Sequence, residues 1–272
     1  MKKFHVEDGI LCYVNPKTAG EFVIPEGVTE IADQAFYDCS QLTGVKIPDT
    51  VTTIGALAFE GCSSLKEVIL PDSVTSLGEG AFANCENLES IDLSSNIKNL
   101  EDVTFSNCKK LKHVSGLDSV ETIGSKAFYF AGLEAISLPK GLTTLADNAF
   151  YGTKIKKVTF NGSVENIVSQ AFVGANDISE LEFNFNGKNA GVINLQQNKS
   201  RLPMLRKPLM LTVVPDAQTK GYNVYLGNDD TNLADEVYKV SQNYIQKFEK
   251  TSTGFDYKTR QEVPVYTPSL IK

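Results

Sequence analysis

Seven phenylalanines constrain this chain more than any other feature. Phe36, Phe59, Phe82, Phe105, Phe128, Phe150 and Phe172 follow one another at intervals of 23, 23, 23, 23, 22 and 22 residues. A fixed period in the range of about 20–29 residues marks a solenoid. Each Phe follows an Ala, except that Thr104 precedes Phe105. Five positions before each stands Ile31, Ile54, Leu77, Leu100, Ile123, Leu145 or Ile167, and eight before stands Val28, Val51, Val74, Ile97, Val120, Leu142 or Val164. Five or six positions after come Leu42, Leu65, Leu88, Leu111, Leu133, Ile155 and Ile178. The stretch 65–85, LKEVILPDSVTSLGEGAFANC, shows the unit whole. A coil this short cannot bury its own apolar face. Its side chains leave water only against the same residues of the coils above and below.

Within each coil one strand is plain: Val45-Lys46-Ile47-Pro48, Val68-Ile69-Leu70-Pro71, Ile91-Asp92-Leu93, Ile136-Ser137-Leu138-Pro139 and Val158-Thr159-Phe160. Apolar residues alternate, so one set points inward and the other outward. Proline follows the strand, where its missing N–H breaks no ladder bond. The Val-Thr-x-Ile segment predicts a second short extended piece on another face, and Ala-Phe then turns the corner. The residue two after the Phe is Asp38, Gly61, Asn84, Asn107, Gly152 or Gly174, types that accept a left-handed backbone; Phe130 breaks the series.

The pattern L-x-x-V-x-I-P-x-x-V-T-x-I-G-x-x-A-F-x-x-C resembles the BspA-like class of leucine-rich repeat proteins. The match covers residues 21–183, seven coils, and is strongest in the second and third. The resemblance implies an α/β fold class: a curved solenoid with a parallel sheet on its concave side. It also implies a bacterial surface or secreted protein of adhesion type, with host or extracellular proteins as ligands. The family shares no catalytic residues, so no enzymatic activity and no cofactor are carried over.

Around the repeats the organisation divides at 1–20, 21–183 and 184–272. Phe4 to Val14 reads as a hairpin cap turning at Asp8-Gly9, a dipeptide suited to a tight type I′ turn. From 184 on, strand-like runs occur at Gly191–Leu195, Leu209–Val214 and Tyr222–Leu226. A helix is predicted from Asn232 to Lys250, because Leu233, Val237, Val240, Tyr244 and Phe248 share one helical face. Thr231 or Asn232 would cap it, with Asp235 and Glu236 in its first turn. This region reads as an α+β C-terminal cap, or as a small separate binding domain. Pro264 and Pro268 point to an extended tail.

Charge narrows the partners. Residues 1–183 hold 14 Lys and Arg against 25 Asp and Glu, a net of -11, while the remainder carries +4. An acidic repeat region does not suit nucleic acid, which needs clustered cations. No apolar run approaches the roughly 18 residues of a membrane span. The start, Met1-Lys2-Lys3 followed by Glu7 and Asp8, lacks the apolar core of a signal peptide. A cytoplasmic location is therefore expected if the chain as given is the full precursor, and a surface or secreted one by resemblance.

Cys39, Cys62, Cys85 and Cys108 form a column, one per coil, that continues as Ala131, Thr153 and Ala175. Stacked strands lie about 4.8 Å apart, a spacing that admits a disulfide, but side chains in a column point the same way. A position that accepts Cys, Ala or Thr calls for a small residue. With His5 and His113 as the only histidines, no metal site is expected. No catalytic constellation stands out, since a nucleophile needs a base beside it.

The expected binding surface is the outward strand column: Glu67 and Ile69, Ser90 and Asp92, His113 and Ser115, Lys157 and Thr159, Glu180 and Glu182. It is polar and contains no aromatic residue, and the chain has no Trp. The tyrosines Tyr222, Tyr225, Tyr238, Tyr244, Tyr257 and Tyr266 make the C-terminal region a competing site, for instance for carbohydrate. An intracellular interaction scaffold of the same fold is the other alternative. Residues 93–117, where Ser94 replaces Pro and Gly116 falls at an inward position, read as the weakest stretch, with His113 a candidate ligand contact there. Asn161-Gly162-Ser163 and Asn198-Lys199-Ser200 match a glycosylation acceptor pattern, but chance matches are common and use in turns is the better reading.

Overall fold

The computed structural model of the chain describes residues 3–162, 166–167, 171–185, 188–194, 210–216, 221–227, 236–241, 245–256 and 261–269. Val164, Ser163, Leu195, Leu209 and the Asn198–Ser200 acceptor lie outside them.

The chain winds as a parallel β-solenoid of about seven coils. Each coil contributes a longer strand, such as Glu67–Ile69, Ser90–Asp92 or Lys157–Phe160. A two-residue strand follows, such as Thr53–Ile54 or Thr122–Ile123. Strands of each kind pair in parallel with counterparts in neighbouring coils, as Val68 does with Ile91 and Ile54 with Leu77, although Ser76–Leu77 does not pair with Asn99–Leu100. Alternation sorts the side chains as expected: Val68 and Leu70 are buried while Glu67 and Ile69 are exposed.

The interior is built on the phenylalanines. Rings of neighbouring coils stack from Phe36 through Phe59, Phe82, Phe105, Phe128 and Phe150 to Phe172, with centroids 4.6 to 5.8 Å apart and planes within 19° of parallel. Burying one such side chain is worth roughly 1.5–3 kcal/mol, and favourable ring contact adds about 0.5–1.5 kcal/mol. At the N-terminal end the stacking mode changes. Phe22 meets Phe36 edge-on at 5.3 Å, and Phe4 meets Phe22 edge-on at 5.6 Å. Phe4 belongs to the hairpin of Phe4–Glu7 and Ile10–Val14. Asp8 and Gly9 at its turn both have positive φ, as a type I′ turn requires.

All seven residues two after the Phe are left-handed, φ 52–75°, including Phe130 at 52°. A second left-handed column lies two before the Phe: Gln34, Leu57, Gly80, Val103, Lys126 and Asn148, φ 51–60°. Hydrogen bonding sets both columns. The N–H groups of Gln34, Phe36 and Asp38 donate to the carbonyls of Ala56, Ala58 and Glu60 in the next coil. Those of Ala35, Tyr37 and Cys39 donate three residues back, to Ala32, Gln34 and Phe36. Every N–H of the corner is thereby satisfied, which offsets the backbone strain.

Two expectations fail. The helix over 232–250 is not formed: Glu236–Val240 and Ile245–Asp256 are strands of a five-stranded antiparallel sheet with Met210–Asp216, Gly221–Gly227 and Gln261–Ser269. Tyr238 and Val240 are buried and Lys239 between them is exposed, a period of two that overrides the helical spacing. Branched and aromatic residues favour the pleated surface. The proposed cap residues Thr231, Asn232 and Asp235, with Leu233 and Tyr244, lie outside the described residues. The C-terminal region is therefore β rather than α+β. The α/β class gives way to a β-solenoid, in which the one helical element among the described residues is a 3-10 turn at Leu117–Ser119. The C-terminal sheet shares the solenoid's core through Val224, Tyr238 and Val240.

The structure implies that Phe82→Ala, which removes a ring stacked on both Phe59 and Phe105, destabilises by roughly 3–5 kcal/mol. Phe4→Ala, at the half-buried end of the ladder, is expected to cost clearly less. Urea unfolding of the two variants checks this, and equal shifts would contradict the stacked core.

Candidate functional site

The long-strand face is the expected binding surface, and its ladder is interrupted twice. Leu42–Lys46 does not pair with Glu67–Ile69, and His113–Ser115 does not pair with Ala135–Leu138. The second break has a local cause. Gly116 is left-handed (φ 78°), and a Cβ there would collide with the Leu93 carbonyl. The following 3-10 turn brings Leu117 to the buried position that Leu70 and Leu93 hold in earlier coils. The next coil is one residue shorter, and the Gly132 N–H is drawn to the Cys108 carbonyl at 3.0 Å. The irregularity expected over 93–117 is thus concentrated at its end. At its start, Ser94 and Asn96 are tied to Asp72 by side-chain bonds of 3.3 and 2.8 Å.

Each break opens a cleft. One, of about 660 Å³, is lined by Glu67 and Ile69 with Val45, Lys46 and Glu21. The other, of about 600 Å³, is lined by His113, Ser115, Lys157 and Thr159 with Ser137 and Asp118. Six of the ten outward residues singled out from sequence therefore fall in two hollows. Ser90 and Asp92 sit on the paired strand between them, where Asp92 accepts a 2.6 Å bond from the Ser115 hydroxyl. Glu180 and Glu182 each lie 2.7 Å from the Lys157 ammonium. Ile69, 61% exposed, is the most exposed large apolar side chain on the face after Val23, 62%.

The Lys157 hydrogen bond holds the Glu182 carboxyl below the usual carboxylate range, helped by Asn184 and Asn189. Bonds to Glu180 and then Glu182 raise the Lys157 ammonium above the usual lysine range. The Asn189 amide donates to Glu182 at 2.8 Å.

The cysteine column is packing. Cys62, Cys85 and Cys108 each donate to the carbonyl of the Phe one coil earlier, at 3.2 Å. All five cysteines are free. Burial pushes the thiol of Cys39 up to about 11, with Asp38 contributing. It pushes Cys108 up to about 12, and raises Cys62 and Cys85 as well. Such thiols are not nucleophiles.

Two groupings escaped the sequence reading. Phe130, 44% exposed, stands in an aromatic cluster with Tyr129 and Tyr151, ring centroids 4.6 and 5.6 Å away. Its ring covers Gly152, where a Cβ would strike it, so the left-handed Phe replaces the small polar side chains of other coils by lying over a glycine. The three consecutive aromatic residues Phe128, Tyr129 and Phe130, with Tyr151 one coil on, were the available signal. The other grouping is a set of mixed donors, His5, Glu7 and Cys12, on the N-terminal hairpin. Of the C-terminal tyrosines, Tyr238 is buried and offers no contact surface; the side chains of Tyr222, Tyr225, Tyr244, Tyr257 and Tyr266 lie outside the described residues.

The BspA type leucine rich repeat region matches residues 12–131 and 101–197, in six copies, and the chain belongs to that family. No catalytic family is indicated. Among solved structures, a leucine-rich repeat protein from Bacteroides ovatus is 24% identical, with a TM-score of 0.41 over 65% of this chain and 59% of that one. One from Eubacterium ventriosum is 29% identical, TM-score 0.43, over 54% and 47%. A leucine rich cell surface protein from Faecalibacterium prausnitzii is 22% identical, TM-score 0.34, over 62% and 60%. The chain thus spans less than two thirds of the length of each. No curated protein sequence matches it. Among the described residues no helix is long and apolar enough to cross a membrane.

Two outcomes follow for the site's chemistry. Because the folded pKa of Glu182 is depressed, its contribution to stability is complete above the ordinary range near about 4.3. It is lost as the pH falls through the lower folded value. Lys157→Met is expected to move the Glu182 titration upward, read by carboxyl NMR shifts; an unmoved titration would remove Lys157 as the cause. Separately, iodoacetamide at mildly alkaline pH is expected to label the half-buried Cys12 in the folded chain and spare the four column cysteines until denaturant is added. Mass spectrometry of the labelled peptides checks it.

Proposed function

We propose that the chain is a non-enzymatic binding protein of adhesion type, acting at or outside a bacterial cell, and that its long-strand face takes a protein ligand. The supporting observation is the pair of clefts, which turns a flat polar ladder into a surface with relief. Their walls carry opposite charges and exposed backbone edges, and in one of them Ile69 stands exposed beside Val45 and Ile47. Protein interfaces combine a small buried apolar centre with a polar, hydrogen-bonding rim, and the cleft around Ile69 has that layout. Membership of the BspA type family supports the interaction role.

The test is saturable binding of the whole chain to immobilised extracellular-matrix proteins and to intact host cells, compared with face variants. Ile69→Asp and Ser137→Arg, one in each cleft, are expected to weaken binding by more than about tenfold, equivalent to about 1.4 kcal/mol. Asn99→Arg, exposed on the short-strand face, is expected to leave it unchanged. Equal losses for all three, or no saturable binding by the wild-type chain, would overturn the proposal.

A further inference from the structure

We propose that His5, Glu7 and Cys12 form a site for a zinc-class divalent ion that clips together the two strands of the N-terminal hairpin. The first support is the hairpin's register. Glu7 pairs with Ile10 and Val6 with Leu11, but His5 pairs with Tyr13 and Phe4 with Val14. The register shifts between His5 and Val6, so Cys12 is the extra residue of a β-bulge. Leu11 and Val14 are both buried, three positions apart, and the bulge puts Cys12 and Tyr13 together between them. A bulge re-aims a side chain and commonly marks a site. Cys12 lies outward by alternation from the buried Leu11, on the face to which His5 and Glu7 point, while Phe4 and Val6 pack on the core; the bulge turns Tyr13 to that face as well and returns Val14 to the interior.

The donor geometry is the second support. One ligand atom from each of the three residues lies within 4.8 Å of the others. His5 Nε2 and Glu7 Oε2 stand 3.4 Å apart. Zinc binds sulfur at about 2.3 Å and nitrogen or oxygen at about 2.0–2.2 Å, so small rotations of exposed side chains bring the donors onto one ion. Thiolate, imidazole and carboxylate together suit zinc and its neighbours, not magnesium or calcium, which take oxygen ligands. Three protein donors leave a fourth position for water or for a group from a partner. Binding converts the Cys12 thiol to a zinc-bound thiolate, and its proton goes to solvent.

The placement gives the ion a purpose. Two donors lie on one strand and the third on the other, so the ion cross-links the hairpin. That hairpin carries Phe4, which meets Phe22, which in turn closes the exposed end of the phenylalanine stack. An ion bound to the folded hairpin and not to the unfolded chain stabilises this end by mass action.

The four column thiols are buried, so spectroscopic signals from thiolate coordination in the folded chain report Cys12 alone. The experiment uses the full chain, untagged, reduced and metal-free. Cobalt(II) is the optical probe and zinc the calorimetric titrant. Expected are one ion per chain, a thiolate-to-cobalt charge-transfer band that zinc displaces and magnesium and calcium do not, and a higher thermal midpoint with zinc. Cys12→Ser is expected to abolish the band and the thermal shift. His5→Gln and Glu7→Gln are each expected to weaken binding by more than about tenfold. Metal-free melting of the three variants should match the wild type, since the altered side chains face outward. A band that survives Cys12→Ser, zinc affinity unchanged in all three variants, or no cobalt uptake by the wild-type chain would overturn the site.

Discussion

The contact of one coil with the next, through the stacked phenylalanines, is the interaction on which the rest depends. No coil holds this ring dry by itself; each face of each ring is covered by the coil beside it. A stack of this kind has one unavoidable weakness, the uncovered rings at its two ends. The chain closes the first with edge-on rings, Phe22 on Phe36 and Phe4 on Phe22. At the other end the inward strand position enlarges from Leu to Phe. Phe160 stacks on Phe183 at 4.9 Å and meets Phe172 edge-on, and the antiparallel sheet adds Val224, Tyr238 and Val240 to the same core.

The interior was legible because one physical demand repeats in every coil. A buried position that must match its neighbours above and below tolerates few residue types, so Phe82 and its counterparts recur unchanged at a fixed interval. The left-handed residue two after the Phe was legible for a related reason: Asp, Asn and Gly advertise that conformation. Its partner two before the Phe was not. Gln34, Leu57, Val103 and Lys126 have no leaning toward positive φ, and their conformation is imposed by hydrogen bonds to the next coil. The C-terminal region lacked a repeat to average over. There Val237, Val240, Tyr244 and Phe248 satisfied a helical period by coincidence, while the alternation of Tyr238, Lys239 and Val240 carried the true signal.

For the candidate site, alternation along the strands identified which side chains face outward, and Glu67, Ile69 and His113 do so. The clefts were not legible, because they arise from failures of pairing between strands and not from any residue within them. Gly116 signalled a disturbance, yet its consequence appears in the following coil, where Ala135–Leu138 does not pair with His113–Ser115. The hairpin differs. A regular ladder about Asp8-Gly9 already sets Cys12 opposite His5, on the face of Glu7; what the spacing does not show is the bulge that adds Tyr13 to that face and returns Val14 to the core.

The break beside His113–Ser115 shows how such a chain can vary its surface without loosening its core. The phenylalanine stack crosses the break undisturbed, Phe105 to Phe128 at 5.4 Å and Phe128 to Phe150 at 5.5 Å. The short-strand ladder is also continuous there, from Asn99–Leu100 through Thr122–Ile123 to Thr144–Leu145. Leu117 fills the inward place that Gly116 leaves open. Two of the three structural columns therefore keep the coils in register, and the third is free to part. The ladder bonds forgone at the break are exchanged for bonds to water in an open cleft, a trade with a small net cost. A Phe of the stack has no such substitute, since a lost ring leaves a dry cavity. That asymmetry confines change to the outward strand positions and the ends of the stack, and both clefts and the hairpin cluster lie there.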